Sequence, residues 1–87
     1  MIIDLDELAA EVVNEVDRAE SMFPVIASPH EGLAIVQEEF DEFKAEVYRL
    51  NLVKGRDTRP QIREELIQLA AMALRMIKDC KLCPLTK

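Results

Sequence analysis

The sequence predicts an all-α protein, a three-helix chain that assembles into an oligomeric helical bundle. Hydrophobic residues make up 49% of the 87 positions, with only two glycines and no tryptophan, a composition that suits helices and fits a sheet protein badly. Three segments carry apolar residues at helical spacing, and each has a helix-start signal. Because a chain this short forms a core of marginal size, we expect one domain over residues 1–87 and more than one chain in the assembly.

The first predicted helix begins at Asp4, with Glu7 as its partner in a capping box. Its narrow apolar seam comprises Leu5, Leu8, Ala9, Val12, Val16 and Ala19. The residues predicted to face outward are Glu11, Asn14, Glu15, Asp17 and Arg18. The next segment, residues 21–27, is broken by a proline yet is apolar for a linker, so we expect it to fold back on the bundle. It either plugs the end of the core or contributes Met22 and Phe23 to a floor for a nucleobase.

The second predicted helix has a strong start signal in Ser28, Pro29 and Glu31, and Gly55 marks its end before residues 54–57. Its apolar stripe, which is predicted to face the core, comprises Leu33, Val36, Phe40, Phe43, Val47 and Leu50. The acidic flank beside this stripe consists of Glu38, Glu39, Glu42 and Glu46. Clustered like charges raise one another's pKa, so such a block keeps its charge only with a cation nearby.

The third predicted helix starts at Thr58 and Gln61 and runs over Arg59–Leu82. Apolar residues cover more than half of its circumference, so it must be buried on two sides. We expect the uncovered part to meet a second subunit in a homodimer or a dimer of dimers. A polar line occupies the remainder and comprises Gln61, Glu65, Gln68, Met72, Arg75 and Asp79. This polar line is predicted to face the acidic flank of the second helix.

Charge and hydropathy exclude several functions. A formal net charge of −6 argues against nucleic acid held by a basic face and suits a protein that collects divalent cations. No apolar run approaches the roughly 18 residues of a membrane span, and the N-terminus is acidic, so we expect a cytoplasmic protein with no membrane partner. Cys80 and Cys83 are either half of a zinc site completed by a second chain or plain reduced thiols, and the absence of a nearby histidine favours thiols.

The acidic flank can form a metal site. Glu39 and Glu42 project from one side of a helix and can reach one ion, with Glu38 beside them, while Glu65 can close the site from the facing helix. Oxygen ligands from two helices suit Mg²⁺ or Mn²⁺, and a bound triphosphate would complete the shell. Arg75 either holds a phosphate oxygen or pairs with Asp79 at the surface, and the surface pair is the favoured alternative. The competing interpretation of the whole cluster is a solvated acidic face.

Two stretches carry a family resemblance. Residues 37–43, QEEFDEF, followed by residues 64–68, EELIQ, resemble the EExxE and ExxD signature of MazG-like all-α nucleoside triphosphate pyrophosphohydrolases. The resemblance covers most of the chain from Ser28 to Asp79. Two further stretches within that range, residues 30–32 and 69–75, strengthen it. It implies that carboxylates of both motifs bind Mg²⁺ and that a metal-activated water cleaves the α–β phosphoanhydride of a nucleoside triphosphate, giving monophosphate and pyrophosphate.

The resemblance also implies roles by position. The residues that match the metal-binding and catalytic carboxylates are Glu38, Glu39, Glu42 and Glu65. Gln68 stands where the family has the aspartate of ExxD. Its amide oxygen can coordinate a hard cation but brings no charge, so metal binding and water activation are expected to be weaker.

Two functions follow as expectations. The first is a Mg²⁺-dependent pyrophosphohydrolase that acts on an NTP or dNTP as a homo-oligomer, and the four matching glutamates favour it. The second is a non-catalytic helical bundle of the same fold that serves as a regulatory or oligomerisation module. Gln68 and the lack of a basic cluster for a triphosphate favour the module.

Overall fold

The computed structural model describes residues 3–52 and 55–82 of the chain. Three helices form it: α1 (Leu5–Met22), α2 (Pro29–Leu52) and α3 (Arg59–Asp79). No strand occurs in the described ranges, so the predicted all-α class is confirmed. The point where α2 was predicted to end and the thiol of Cys83 lie outside the described residues.

Helix α3 is the element on which the other two pack. Both α1 and α2 lie against α3, whereas the described parts of α1 and α2 do not approach each other closely. The ion pairs Glu11–Arg63 and Glu20–Lys78, at 2.6 and 2.5 Å, follow the same order along both helices, so α1 and α3 run parallel. Helix α2 is antiparallel to α3, because Gly32 at its start lies against Met76 near the end of α3.

The helices begin where predicted, but two capping contacts differ from the predictions. Asp4 caps α1 by accepting a hydrogen bond from the N–H of Asp6 at 2.8 Å, one position earlier than in a capping box with Glu7. Thr58 is the N-cap residue of α3, as predicted. Its hydroxyl makes no capping hydrogen bond, because it donates to the carbonyl of Glu46 at 2.8 Å and is buried against α2. The carboxylate of Asp57 instead accepts from the first helical N–H, that of Arg59, at 3.1 Å.

Helix α3 ends at Asp79, three residues before the predicted end at Leu82. The chain leaves the helix through a Schellman motif, in which the N–H groups of Lys81 and Leu82 donate to the carbonyls of Lys78 and Ile77 at 3.2 and 2.9 Å. Lys81 occupies the left-handed position with a φ of 56°. That conformation strains a residue with a side chain, so the end of α3 carries a local cost in free energy.

The apolar stripe of α2 is not buried within one chain, which corrects the prediction that it faces the core. Leu33 and Phe40 are 61% and 43% exposed. The other four members of the stripe are half-buried. The physical reason is rotation: α2 turns Gly32 and Glu46, both buried, towards the rest of the chain, so the stripe lies at the edge of the packed face with Leu33 and Phe40 in solvent.

The chain is also open in shape. Its radius of gyration is 15.0 Å, against about 12 Å for a compact domain of this length. Its accessible surface is 6846 Å², against about 5,200 Å² for a compact monomer of this mass. Among the described helices, none combines the length and the apolar character needed to cross a membrane.

Candidate metal centre

Three glutamates from two helices meet at the interface between α2 and α3. Glu39 and Glu42 of α2 and Glu65 of α3 each place a carboxylate oxygen within 4.8 Å of the others. The spacing of the first two along one helix and the antiparallel packing of α3 explain the convergence. The structure therefore brings together three of the predicted site residues in what we call the three-glutamate cluster.

Two oxygens of the cluster are shielded without a hydrogen-bond partner. Oε2 of Glu39 and Oε2 of Glu65 are closed to solvent, and no protein group donates to either. A buried acceptor without a donor carries a desolvation penalty, and the penalty is larger for a charged group. A cation between the two side chains would compensate both oxygens.

The cluster favours protonation. Burial raises the pKa of Glu65 to about 7, and the nearby carboxylates of Glu42 and Glu39 act in the same direction. Burial also raises the pKa of Glu39, and the charges of Glu42 and Glu38 add to that effect, whereas the charge of Arg18 opposes it. Without a cation the cluster therefore retains a proton near neutral pH.

A cavity of about 360 Å³ adjoins the cluster, and we call it the main cavity because two of the three glutamates line it. Its acidic wall consists of Glu31, Glu38, Glu39 and Glu42. Its apolar lining consists of Phe23, Pro24, Ile26, Ile35 and Met72. The volume falls within the range of small-molecule sites, and an apolar surface beside a few polar groups is typical of them.

The connector between α1 and α2, residues 23–28, supplies much of that apolar lining. Ile26 is buried, so the predicted folding back of this segment is confirmed. Of the two residues proposed for a floor, Phe23 lines the main cavity. Met22 is exposed, and its sulfur lies 3.1 Å from Nη1 of Arg18. Glu38 is exposed on the cavity wall and lies outside the three-glutamate cluster.

Arg75 and Asp79 hold the connector in place. Nη2 of Arg75 donates to the carbonyl of Pro24 at 2.9 Å, and the carboxylate of Asp79 accepts from the N–H of Ile26 at 3.0 Å. The predicted contact between the two side chains exists at 3.9 Å, with both side chains buried. Nε of Arg75 is closed to solvent and lacks an acceptor. Arg75 also lines the cavity of about 360 Å³, but its side chain is buried and held by these contacts, so its predicted role in phosphate binding stays a prediction.

Gln68 lies on another side of Glu39. Together they line a small cavity of about 40 Å³, to which α1 contributes Glu15 and Arg18. The sequence did not indicate either α1 residue as part of the site, because both were expected to face outward. Their spacing of three residues predicted that they share a helix face, but no sequence signal showed which face α1 presents to the glutamates.

Comparisons of the chain with protein-family models, with curated proteins and with solved structures found no match. The chemistry of the site itself therefore carries the functional argument. Three carboxylates from two helices, two of them with oxygens that lack a donor, fit a hard divalent cation such as Mg²⁺ or Mn²⁺.

Proposed function

We propose that the chain is a Mg²⁺- or Mn²⁺-dependent nucleotide pyrophosphohydrolase that converts an NTP or dNTP to monophosphate and pyrophosphate. One observation carries the proposal: the three-glutamate cluster has two buried oxygens without a donor, and two of its members, Glu39 and Glu42, line a cavity together with five apolar side chains. A metal site beside a surface that can hold a base is the arrangement that this reaction requires.

In this proposal Glu39, Glu42 and Glu65 hold the ion, and Gln68 supports the site from beside Glu39. When bound, such an ion polarises phosphate oxygens and lowers the pKa of a water molecule. Glu38 remains on the cavity wall outside the cluster, where its carboxylate can accept a proton from the attacking water. Its predicted catalytic role thus fits an exposed general base better than a buried ligand.

The chain's remaining task is to orient the nucleotide. Phe23 offers exposed apolar surface to a base, with the buried side chains of Ile26 and Met72 beside it in the cavity lining. The contacts of Arg75 and Asp79 with the connector fix where that surface lies. A base held on this surface places its phosphates towards the glutamates at the other wall. Holding reactants in such a geometry removes much of the entropic barrier to reaction.

We further propose that the protein acts as a homodimer or a dimer of dimers. The accessible surface of 6846 Å² exceeds that of a compact monomer by about 1,600 Å², which is more than the roughly 800 Å² that one partner buries in a standard interface. Leu33 and Phe40 on α2 and Leu74 and Ile77 on α3 all remain exposed. The assembly surface in this proposal includes the apolar stripe of α2 as well as the broad face predicted for α3.

The second candidate is the non-catalytic module of the same fold. Gln68 favours it, because the amide beside Glu39 adds no charge to the cluster. The exposed apolar surface is compatible with either candidate, since an enzyme and an oligomerisation module would both bury it. Turnover therefore has to separate them.

The test combines metal binding with turnover. Calorimetric titration with Mg²⁺ and Mn²⁺ should show a site that Glu42→Ala and Glu65→Ala remove. Glu64→Ala is the matched control, because Glu64 is exposed and lies outside the cluster. A panel of NTPs and dNTPs, assayed separately for pyrophosphate and for phosphate, should yield pyrophosphate only with the metal present. Metal binding without turnover on any nucleotide would favour the module, and equal metal affinity in all variants would refute the site.

A further inference from the structure

The proposed site needs a cation in addition to its metal ion. A triphosphate brings several negative charges to a cavity wall that already carries four glutamates, in a chain with a formal net charge of −6. One divalent ion within the three-glutamate cluster offsets only part of that charge. A side chain that binds phosphate oxygens is therefore expected close to the cluster.

Arg75 is poorly suited to that task. It is 2% exposed, its Nη2 is engaged by the carbonyl of Pro24, and its Nε is closed to solvent. Four other cations of the described chain are paired with carboxylates outside the cluster. These pairs are Arg49–Glu46, Arg59–Asp57, Arg63–Glu11 and Lys78–Glu20.

Arg18 of α1 differs from these in its position. It lines the small cavity together with Glu39, a member of the three-glutamate cluster. Arg18 thus borders the cluster while its side chain stays 48% exposed, whereas Arg75 is buried.

The guanidinium of Arg18 is already oriented. Glu15 accepts from Nε at 2.9 Å and from Nη2 at 2.5 Å, which fixes one edge of the planar group. Nη1 meets only the sulfur of Met22, at 3.1 Å, and a thioether is a weak acceptor. A guanidinium locked on one edge and weakly satisfied on the other is preorganised to bind a phosphate oxygen.

We infer that Arg18 binds phosphate oxygens of the substrate, with Glu15 as the residue that positions it. This inference rests on the proposed function and names a different phosphate ligand from the one predicted from the sequence. It gives the site a phosphate-binding side chain next to the metal centre, on the side of Glu39 where Gln68 also lies. The ligand class is a metal-bound polyphosphate.

The experiment measures two affinities for each variant by calorimetry: that for Mg²⁺ alone and that for inorganic pyrophosphate in saturating Mg²⁺. Arg18→Ala should weaken pyrophosphate binding by about tenfold or more, the loss expected for a charged hydrogen bond. It should leave Mg²⁺ affinity unchanged or slightly tighter, because a positive charge next to Glu39 has been removed. Glu15→Gln should cause a smaller loss of pyrophosphate affinity through loss of orientation.

Arg63→Ala is the matched control, because its side chain is similarly exposed, at 55%, and also pairs with a glutamate of α1. It should change neither affinity. If wild-type protein binds pyrophosphate and Arg18→Ala binds it equally well, the inference about Arg18 is refuted while the proposed function stands. If wild-type protein binds Mg²⁺ but neither pyrophosphate nor any nucleotide, the proposed function fails and the inference fails with it. Loss of Mg²⁺ affinity in Arg18→Ala would show a structural role and would also overturn the inference.

Discussion

Replacing Glu65 by glutamine should have opposite effects on stability with and without metal. In the native chain burial raises the pKa of Glu65 to about 7 from an ordinary value of 4.5. The native state therefore binds more protons than the unfolded state between these two pH values, and the free energy of unfolding falls as pH rises through that window. Above it the penalty of a charged Glu65 is fully present.

The magnitude follows from the pKa difference. About 1.4 kcal/mol per pH unit gives roughly 3 kcal/mol for the full difference, and partial solvent exposure of the side chain reduces this to about 2 kcal/mol. Glutamine keeps the size of the side chain and removes the charge. In metal-free buffer at pH 8, Glu65→Gln should thus raise the free energy of unfolding by about 2 kcal/mol, and it should be close to neutral at pH 4.5.

With bound metal, the wild-type chain should be more stable than Glu65→Gln. Saturating Mg²⁺ stabilises a chain that binds it by about 2.7 kcal/mol at a hundred times the dissociation constant, and the glutamine variant, having lost a ligand, should gain far less. Urea denaturation from pH 4.5 to 8, with EDTA or with Mg²⁺, checks both signs. Glu64→Gln makes the same charge change outside the cluster; because the charge of Glu64 is the smallest of the causes that raise the pKa of Glu65, both effects should be much weaker in this control. Parallel pH profiles for wild type and Glu65→Gln would refute the buried-carboxylate reasoning, and equal stabilisation by Mg²⁺ would refute the role of Glu65 as a ligand.

Further predictions concern the cap of α3, the anchor of the α2–α3 loop, the assembly surface and the amide beside Glu39. Lys81→Gly should stabilise the chain by about 0.5 kcal/mol in urea denaturation, because glycine adopts the left-handed conformation without strain, whereas Lys81→Ala should give no gain. Thr58→Val should destabilise it by about 1 kcal/mol, because the buried hydroxyl that donates to the Glu46 carbonyl is lost. Phe40→Lys should shift light scattering from an oligomer towards a monomer; a wild-type protein that is monomeric at micromolar concentration would contradict the assembly. Gln68→Asp should tighten Mg²⁺ binding and increase pyrophosphate release, and unchanged values in a folded variant would show that Gln68 does not replace a lost ligand.

Periodicity and start signals predicted the helices because those signals are local. The hydroxyl of Ser28 accepts a hydrogen bond from the N–H of Glu31, and this contact does not depend on how α2 packs. Pro29 begins α2 for the same local reason. The hydroxyl of Thr58 makes no capping hydrogen bond because it donates to a backbone carbonyl twelve residues earlier, on α2. The end of α3 was misplaced because Lys81 adopts a conformation that sequence reasoning assigns to glycine.

The convergence of Glu39, Glu42 and Glu65 could be predicted because two residues share one helix face and the third lies on the polar line opposite. The contribution of α1 to the site could not be predicted from the sequence. Glu15 and Arg18 have the spacing of an ordinary exposed ion pair, and only the packing of α1 on α3 brings them to Glu39. The buried position of Arg75 likewise depends on where the connector folds, which no helical period specifies.

The rotation of α2 links the site to the assembly. A helix that packed its apolar stripe on α3 would close the core of one chain and leave the glutamates in solvent, where each would be hydrated at no cost. Instead α2 directs Glu39 and Glu42 towards Glu65 and leaves Leu33 and Phe40 exposed. Burial of carboxylate oxygens of Glu39 and Glu65 costs free energy in an isolated chain, and so does exposure of a leucine and a phenylalanine. A cation in the cluster and a second copy on the stripe each remove one of these penalties, so metal binding and assembly are expected to stabilise the same orientation of α2.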